Sequence, residues 1–102
     1  MTARFASALM SERKVVFTGY GWETYSSWPT RDRTVSRAAN KQIAVALIDP
    51  FKGGKPEPLR HHLSGQWSRR ITREHRLVYQ VAETEIVIVA VGGHQDEYPK
   101  DE

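Results

Sequence analysis

Cysteine is missing from all 102 residues, which excludes disulfides and thiolate–zinc sites. That absence accords with a reducing compartment, and a cytoplasmic location is the expectation. No apolar run approaches the roughly 18 residues that a membrane span needs. The opening "MTARFASALMSERK" is too weakly apolar for a signal peptide. Catalytic signatures are scarce too: there is no Gly-x-Ser-x-Gly, no His-Glu-x-x-His and no spaced aspartate cluster, and "FKGGK" lacks the Walker pattern. No cofactor and no metal site are therefore expected. Acids are thin in one region. Residues 52–76 hold seven Lys or Arg against only Glu57 and Glu74, although the whole chain is only +3. A block of this kind suits a polyanionic partner, most often a phosphate backbone.

What is present reads as one small domain. Residues 1–13 are expected to form a disordered extension, 14–94 the folded unit and 95–102 a polar tail. "KVVFT" from Lys14 to Thr18 is strand-like. Trp22, Tyr25 and Trp28 recur at spacing three and predict one helical face, which Pro29 interrupts, leaving Thr30 to cap a second helix. In that helix Val35, Ala39, Ile43, Ala46 and Leu47 form an apolar stripe ended by Asp49-Pro50 and two glycines. Strands follow in "QWSRRIT", "HRLVYQV" and "TEIVIVAV", with turns at Ser64-Gly65, Arg73-Glu74 and Ala82-Glu83. His61 and His62 fall on a further expected strand. The order β, α, α and then consecutive strands predicts an α+β fold: two N-terminal helices on one face of a small, mainly antiparallel twisted sheet.

Along "QWSRRIT" neighbouring side chains alternate, so Arg69 and Arg70 cannot share a face. One is expected on the open face and the other toward an edge. The plain reading of these arginines is a solvated sheet surface; the chemical reading is phosphate recognition, which arginine's planar fork suits. Trp67 and Tyr79 offer stacking surfaces for bases, although core packing explains either ring alone. Glu57 stands between Pro56 and Pro58, which hold its backbone extended. As a surface acid it would merely neutralise arginines. As a general base it would take the proton from an RNA 2′-hydroxyl, while a cation, Arg76 or Arg70, bears on the phosphate and an acid protonates the departing 5′-oxygen. The four histidines are the candidates for that acid. His75 reads as a hydrogen-bonded structural residue, whereas His94 follows Gly92-Gly93 and the last strand.

The string "GKPEPLRHHLSGQWSRRITREHRLVY", Gly54 to Tyr79, closely resembles the signature of the YoeB toxins, a branch of the RelE/ParE superfamily of type II toxin–antitoxin systems. Weaker likeness runs from Lys14 to His94. The resemblance implies a microbial ribonuclease fold of the α+β kind already described. It implies a ribosome-dependent mRNA endoribonuclease, an mRNA interferase that cuts A-site mRNA by metal-free transesterification and so inhibits translation. By motif, Glu57 would be the general base, Arg76 the cation on the scissile phosphate and His94 the general acid. Arg60, Arg70 and Lys55 would contact substrate. Similar toxins end in His-Tyr; here Gln95 follows His94, and Tyr98 is the tyrosine available to contact the substrate nucleotide. The implied partners are a YefM-like antitoxin, mRNA and the 70S ribosome, with a homodimer expected and no membrane. Two other readings are open at this point: a non-cleaving basic binder of the same fold, docking on the ribosome or, like ParE relatives, on gyrase, and a toxin weakened by its altered C-terminus.

Overall fold

The computed structural model describes residues 13–59 and 65–93. The elements run β1 (Lys14–Phe17), α1 (Gly19–Arg31), α2 (Arg33–Ile48), β2 (Glu57–Pro58), β3 (Gln66–Arg70), β4 (Arg76–Val81) and β5 (Glu85–Gly92). They form the expected α+β fold. The sheet order is β1-β5-β4-β3-β2. Strands β2 to β5 pair antiparallel with their neighbours, while β1 lies parallel to β5, with Lys14 opposite Glu85 and Phe17 opposite Ile88. The sheet is therefore mixed, the first strand inserting beside the last.

Both helices start on a side-chain cap. Thr18 accepts from the Gly21 amide at 2.9 Å. Asp32 accepts from the amides of Thr34 at 3.0 Å and Val35 at 3.3 Å, so it, and not Thr30, opens α2. One carboxylate satisfying two orphan amides is a better cap than a threonine already inside a helix. Thr30 instead donates to the Ser27 carbonyl. Nor does Pro29 end α1, which continues to Arg31. A proline in the last turn removes a single ladder bond. The turn around it is held by Asp32 N–H on the Trp28 carbonyl at 2.8 Å and by the buried Trp28 ring.

Trp22, Tyr25 and Trp28 do not share one environment. Three residues advance a helix by less than one turn, so the first and third differ by roughly 120°. Trp28 is buried, while Trp22 is half exposed in an aromatic group with Phe17 and Tyr25. The α2 stripe behaves as expected: Val35, Ala39, Ile43 and Ala46 are buried against Leu77, Tyr79, Ile86, Ile88 and Val91. Leu47 packs at its margin.

Strand β1 pairs only as far as Ile88, leaving the next outward-facing groups of β5 without a strand partner. Helix α1 supplies them. Thr24 Oγ1 accepts from the Val91 amide at 3.0 Å, and Trp28 Nε1 donates to the Val91 carbonyl at 2.8 Å. This close seating leaves no room at Gly21, where an added Cβ would lie 2.0 Å from the Ile88 carbonyl oxygen. Gly21→Ala should therefore destabilise the fold by about 3 kcal/mol, read as a melting temperature lower by roughly 12–24 °C. Gly19→Ala, with nothing within 4 Å, is the matched control and should melt as the parent does.

Candidate active site

Register decides which side chains share the face turned away from the helices. Ser68 of β3 lies opposite both Glu57 of β2 and Val78 of β4, and Arg70 lies opposite Arg76. Side chains two apart on a strand point the same way. Glu57, Ser68, Arg70, Arg76 and Val78 therefore line one face. Val78, Val89 and Ala90 form a small second cluster on it, packed by Tyr20 and Leu59. A bulge between Val78 and Tyr79 shifts the register there.

Two flanking prolines do not by themselves predict a place in the sheet for Glu57. Strand β2 is an edge strand, where a residue without an N–H is tolerated. Its pairing continues through the Leu59 amide to the Gln66 carbonyl at 2.8 Å.

Beside this face opens a cleft of about 730 Å³, lined by Gly54, Lys55, Glu57, Arg70, Ile71, Thr72, Arg73 and Arg76. Four cations thus surround one carboxylate. Arg76 Nη1 stands 3.6 Å from Glu57 Oε1 and donates to Ser68 Oγ at 3.0 Å. The Glu57 side chain is 65% exposed, and such an ion pair is worth only about 0.2–1 kcal/mol. Arg70 faces Arg76 directly across the ladder, an arrangement that costs stability unless an anion is present. The single Glu57 carboxylate leaves the cluster with a net positive charge, which suits an anionic ligand.

Lys55 occupies the left-handed region at φ 52°, following Gly53 at 74° and Gly54 at 70°. A lysine held there is strained backbone at the cleft wall. On the far side, Thr72 Oγ1 and His75 Nδ1 share a hydrogen bond of 2.7 Å, and the His75 ring meets the Trp28 edge at 4.9 Å between centroids. His75 is the structural histidine expected, tying the turn that carries Thr72 and Arg73. The sequence pattern alone singles out neither Ser68 nor Arg73. For Ser68 a signal exists, since it precedes Arg70 by two and must share its face. Arg60, His61, His62, His94 and Tyr98 lie outside the described residues. Among the described residues no three of His, Asp and Glu gather as a metal ligand set.

The other arginine of the pair does not reach an edge. Arg69 is fully buried, capped by the loop after α2. Tyr79 is fully buried beside it, so it is core and not a stacking platform, while Trp67 packs edge-on against Phe51 at 5.2 Å. Burial raises the Tyr79 hydroxyl above its ordinary 10.0, outweighing the hydrogen bond and charge of Arg69, which lower it; Asp49 raises it further. A raised phenol pKa favours the neutral form in the native state. Its contribution to stability is complete below pH 10 and is lost as pH rises through the higher native value. Urea denaturation should show the parent losing more stability than Tyr79→Phe between pH 8 and pH 11, each referenced to its own value at pH 8.

Residues 17–95 match the model of the YoeB-like toxins of bacterial type II toxin–antitoxin systems. The chain belongs to the YoeB family. It is 50% identical over 82 residues to the toxin YoeB of Streptomyces coelicolor, covering 79% of this chain and 98% of that one. The structure resembles the YoeB dimer from Staphylococcus aureus with a TM-score of 0.74 and 32% identity, over 81% of this chain and 98% of that chain. A YoeB–YefM complex from the same organism matches at 0.73 and 30% identity, with the same coverage. The YoeB-family chain thus carries its acid-and-arginine cluster on the sheet face that the helices leave free. No helix among its described residues is long and apolar enough to cross a membrane.

Proposed function

We propose that this YoeB-family toxin is an mRNA endoribonuclease that cleaves in the ribosomal A site and so stops translation. The observation that carries the reading is the pairing of Glu57 with Arg76 inside a cleft of cations, across the registers of β2 on β3 and β3 on β4. A binder of RNA gains from the cations but has no use for a carboxylate among them. A ribonuclease does, because the nucleophile is already in the substrate and only its proton must be removed.

In this mechanism the Glu57 carboxylate takes the 2′-hydroxyl proton as the 2′-oxygen attacks phosphorus. Arg76, oriented by Ser68, bears on the phosphoryl oxygens as charge builds there. The bond from phosphorus to the 5′-oxygen breaks, and His94 delivers a proton to the leaving oxygen. Products are a 2′,3′-cyclic phosphate, which can open to a 3′-phosphate, and a 5′-hydroxyl. Arg70 and Lys55 hold neighbouring phosphates, with Arg60 and Tyr98 completing substrate contact. Exchange of the weak Arg76–Glu57 ion pair for an Arg76–phosphate pair frees the carboxylate when substrate arrives.

A YefM-like antitoxin is the partner that silences this activity, and the toxin self-associates as a dimer; the S. aureus YoeB–YefM complex and YoeB dimer support both. The reaction takes place in the cytoplasm, where ribosomes are. Primer extension on messages bound to purified ribosomes tests the assignment. Cleavage within A-site codons, and far less on the same message without ribosomes, is expected. Blocked translation with an intact message would assign binding alone.

A further inference from the structure

Arg69 takes no part in that chemistry, yet its guanidinium is completely removed from water. Its Nε donates to Tyr79 Oη at 3.2 Å, and Nη1 to Gln42 Oε1 at 3.4 Å. Nη2 donates to the carbonyls of Pro50 and Lys52, each at 3.2 Å. Tyr79 Oη in turn donates to the Pro50 carbonyl at 2.6 Å. All of these acceptors are neutral. A buried cation with no carboxylate among its hydrogen-bond partners is a poor source of stability, so an apolar side chain would serve a purely structural site better. What arginine supplies is a rigid fork of donors that reaches several acceptors at once.

The backbone acceptors lie on one segment. It leaves α2 at Asp49, passes Pro50 and Lys52, turns through three consecutive left-handed residues, and enters β2 at Glu57. At the turn, Gly54 is seated so tightly that an added Cβ would lie 2.7 Å from Gln42 Oε1 and 3.2 Å from Arg69 Nη1. Lys55, the third of these residues, does not favour that backbone and needs an outside hold. Residues Gly54, Lys55 and Glu57 then form the cleft wall opposite Arg76.

We propose that Arg69, with Tyr79 and Gln42, is a positioning latch: it fixes the Pro50–Lys55 segment from beneath and so sets where Glu57 meets the phosphodiester. Adjacent arginines on β3 divide the labour, Arg70 facing the substrate and Arg69 holding the loop. The catalytic part of this inference rests on Glu57 being the base; the latch itself does not.

Two measurements on the full-length toxin separate these. Hydrogen exchange on Arg69→Lys and on the milder Tyr79→Phe should show faster exchange confined to residues 50–57, with α2 and β3 to β5 exchanging as in the parent. Single-turnover cleavage should fall roughly 10- to 100-fold in Arg69→Lys, as expected for a base displaced by about an ångström, with little change in KM. In the Glu57→Gln background the same substitution should change the rate less than twofold, because no base remains to be placed. Unchanged exchange at 50–57, or a rise spread over the whole chain, overturns the latch. Confined exchange with an equal rate loss in both backgrounds overturns its action through Glu57. If the parent does not cleave, the nuclease reading fails and the exchange pattern alone decides the latch. Should Arg69→Lys not fold, Tyr79→Phe carries both arms.

Discussion

Glu57→Gln should lower single-turnover cleavage of ribosome-bound mRNA by roughly 10²- to 10⁴-fold, the usual contribution of a general base. The amide keeps the size of the carboxylate and its ability to accept a hydrogen bond, but it cannot take up the 2′-hydroxyl proton. Because the side chain is largely exposed and its ion pair weak, the fold should melt as the parent does. Affinity for message should hold or improve, since one negative charge leaves a cleft of cations. The effect thus belongs in kcat and not in KM. A fall in affinity with the rate of bound complexes intact would make Glu57 a binding residue.

Arg76→Ala should cost roughly 10²- to 10³-fold, the scale for removing one donor from developing charge. Arginine at this position reaches Ser68 Oγ while extending toward Glu57, so its fork can be held and still face the phosphate. Arg76→Lys should recover only part of the rate: it restores a point charge without a second donor to keep it in place. Kinetics at two salt concentrations separates the roles of the arginines. Loss of Arg70 should act mainly on KM and weaken the salt dependence, as for a phosphate contact. Loss of Arg76 should act on kcat at either salt. Equal behaviour of the two variants would argue for an undifferentiated basic patch.

Much of this arrangement is legible in the residue pattern. Period-3.6 spacing places Val35, Ala39, Ile43 and Ala46 toward the sheet because a helix on one face must bury its apolar stripe there. Alternation separates Arg69 from Arg70 for an equally local reason. The destination of Arg69 is not local: it depends on a loop folding back over the sheet, which no periodicity encodes. The parallel placement of β1 beside β5 is likewise a matter of topology. Pro29 misleads because its effect depends on how near a helix end it falls and on what anchors the turn around it. As for the cleft, the string of cations around Glu57 is plain in the sequence. That Glu57 and Arg76 stand 3.6 Å apart follows only from two registers, β2 on β3 and β3 on β4, both set by long-range pairing.

The role proposed for Glu57 and Arg76 is to promote attack by the substrate's own 2′-oxygen. A ribosome-bound message carrying one 2′-deoxynucleotide at the cleaved position tests this most directly, with the ends of the products identified by mass. No cleavage is expected at the deoxy position, and on the all-ribose message a 2′,3′-cyclic or 3′-phosphate is expected beside a 5′-hydroxyl. Equal cleavage of both messages, leaving a 3′-hydroxyl and a 5′-phosphate, would contradict it.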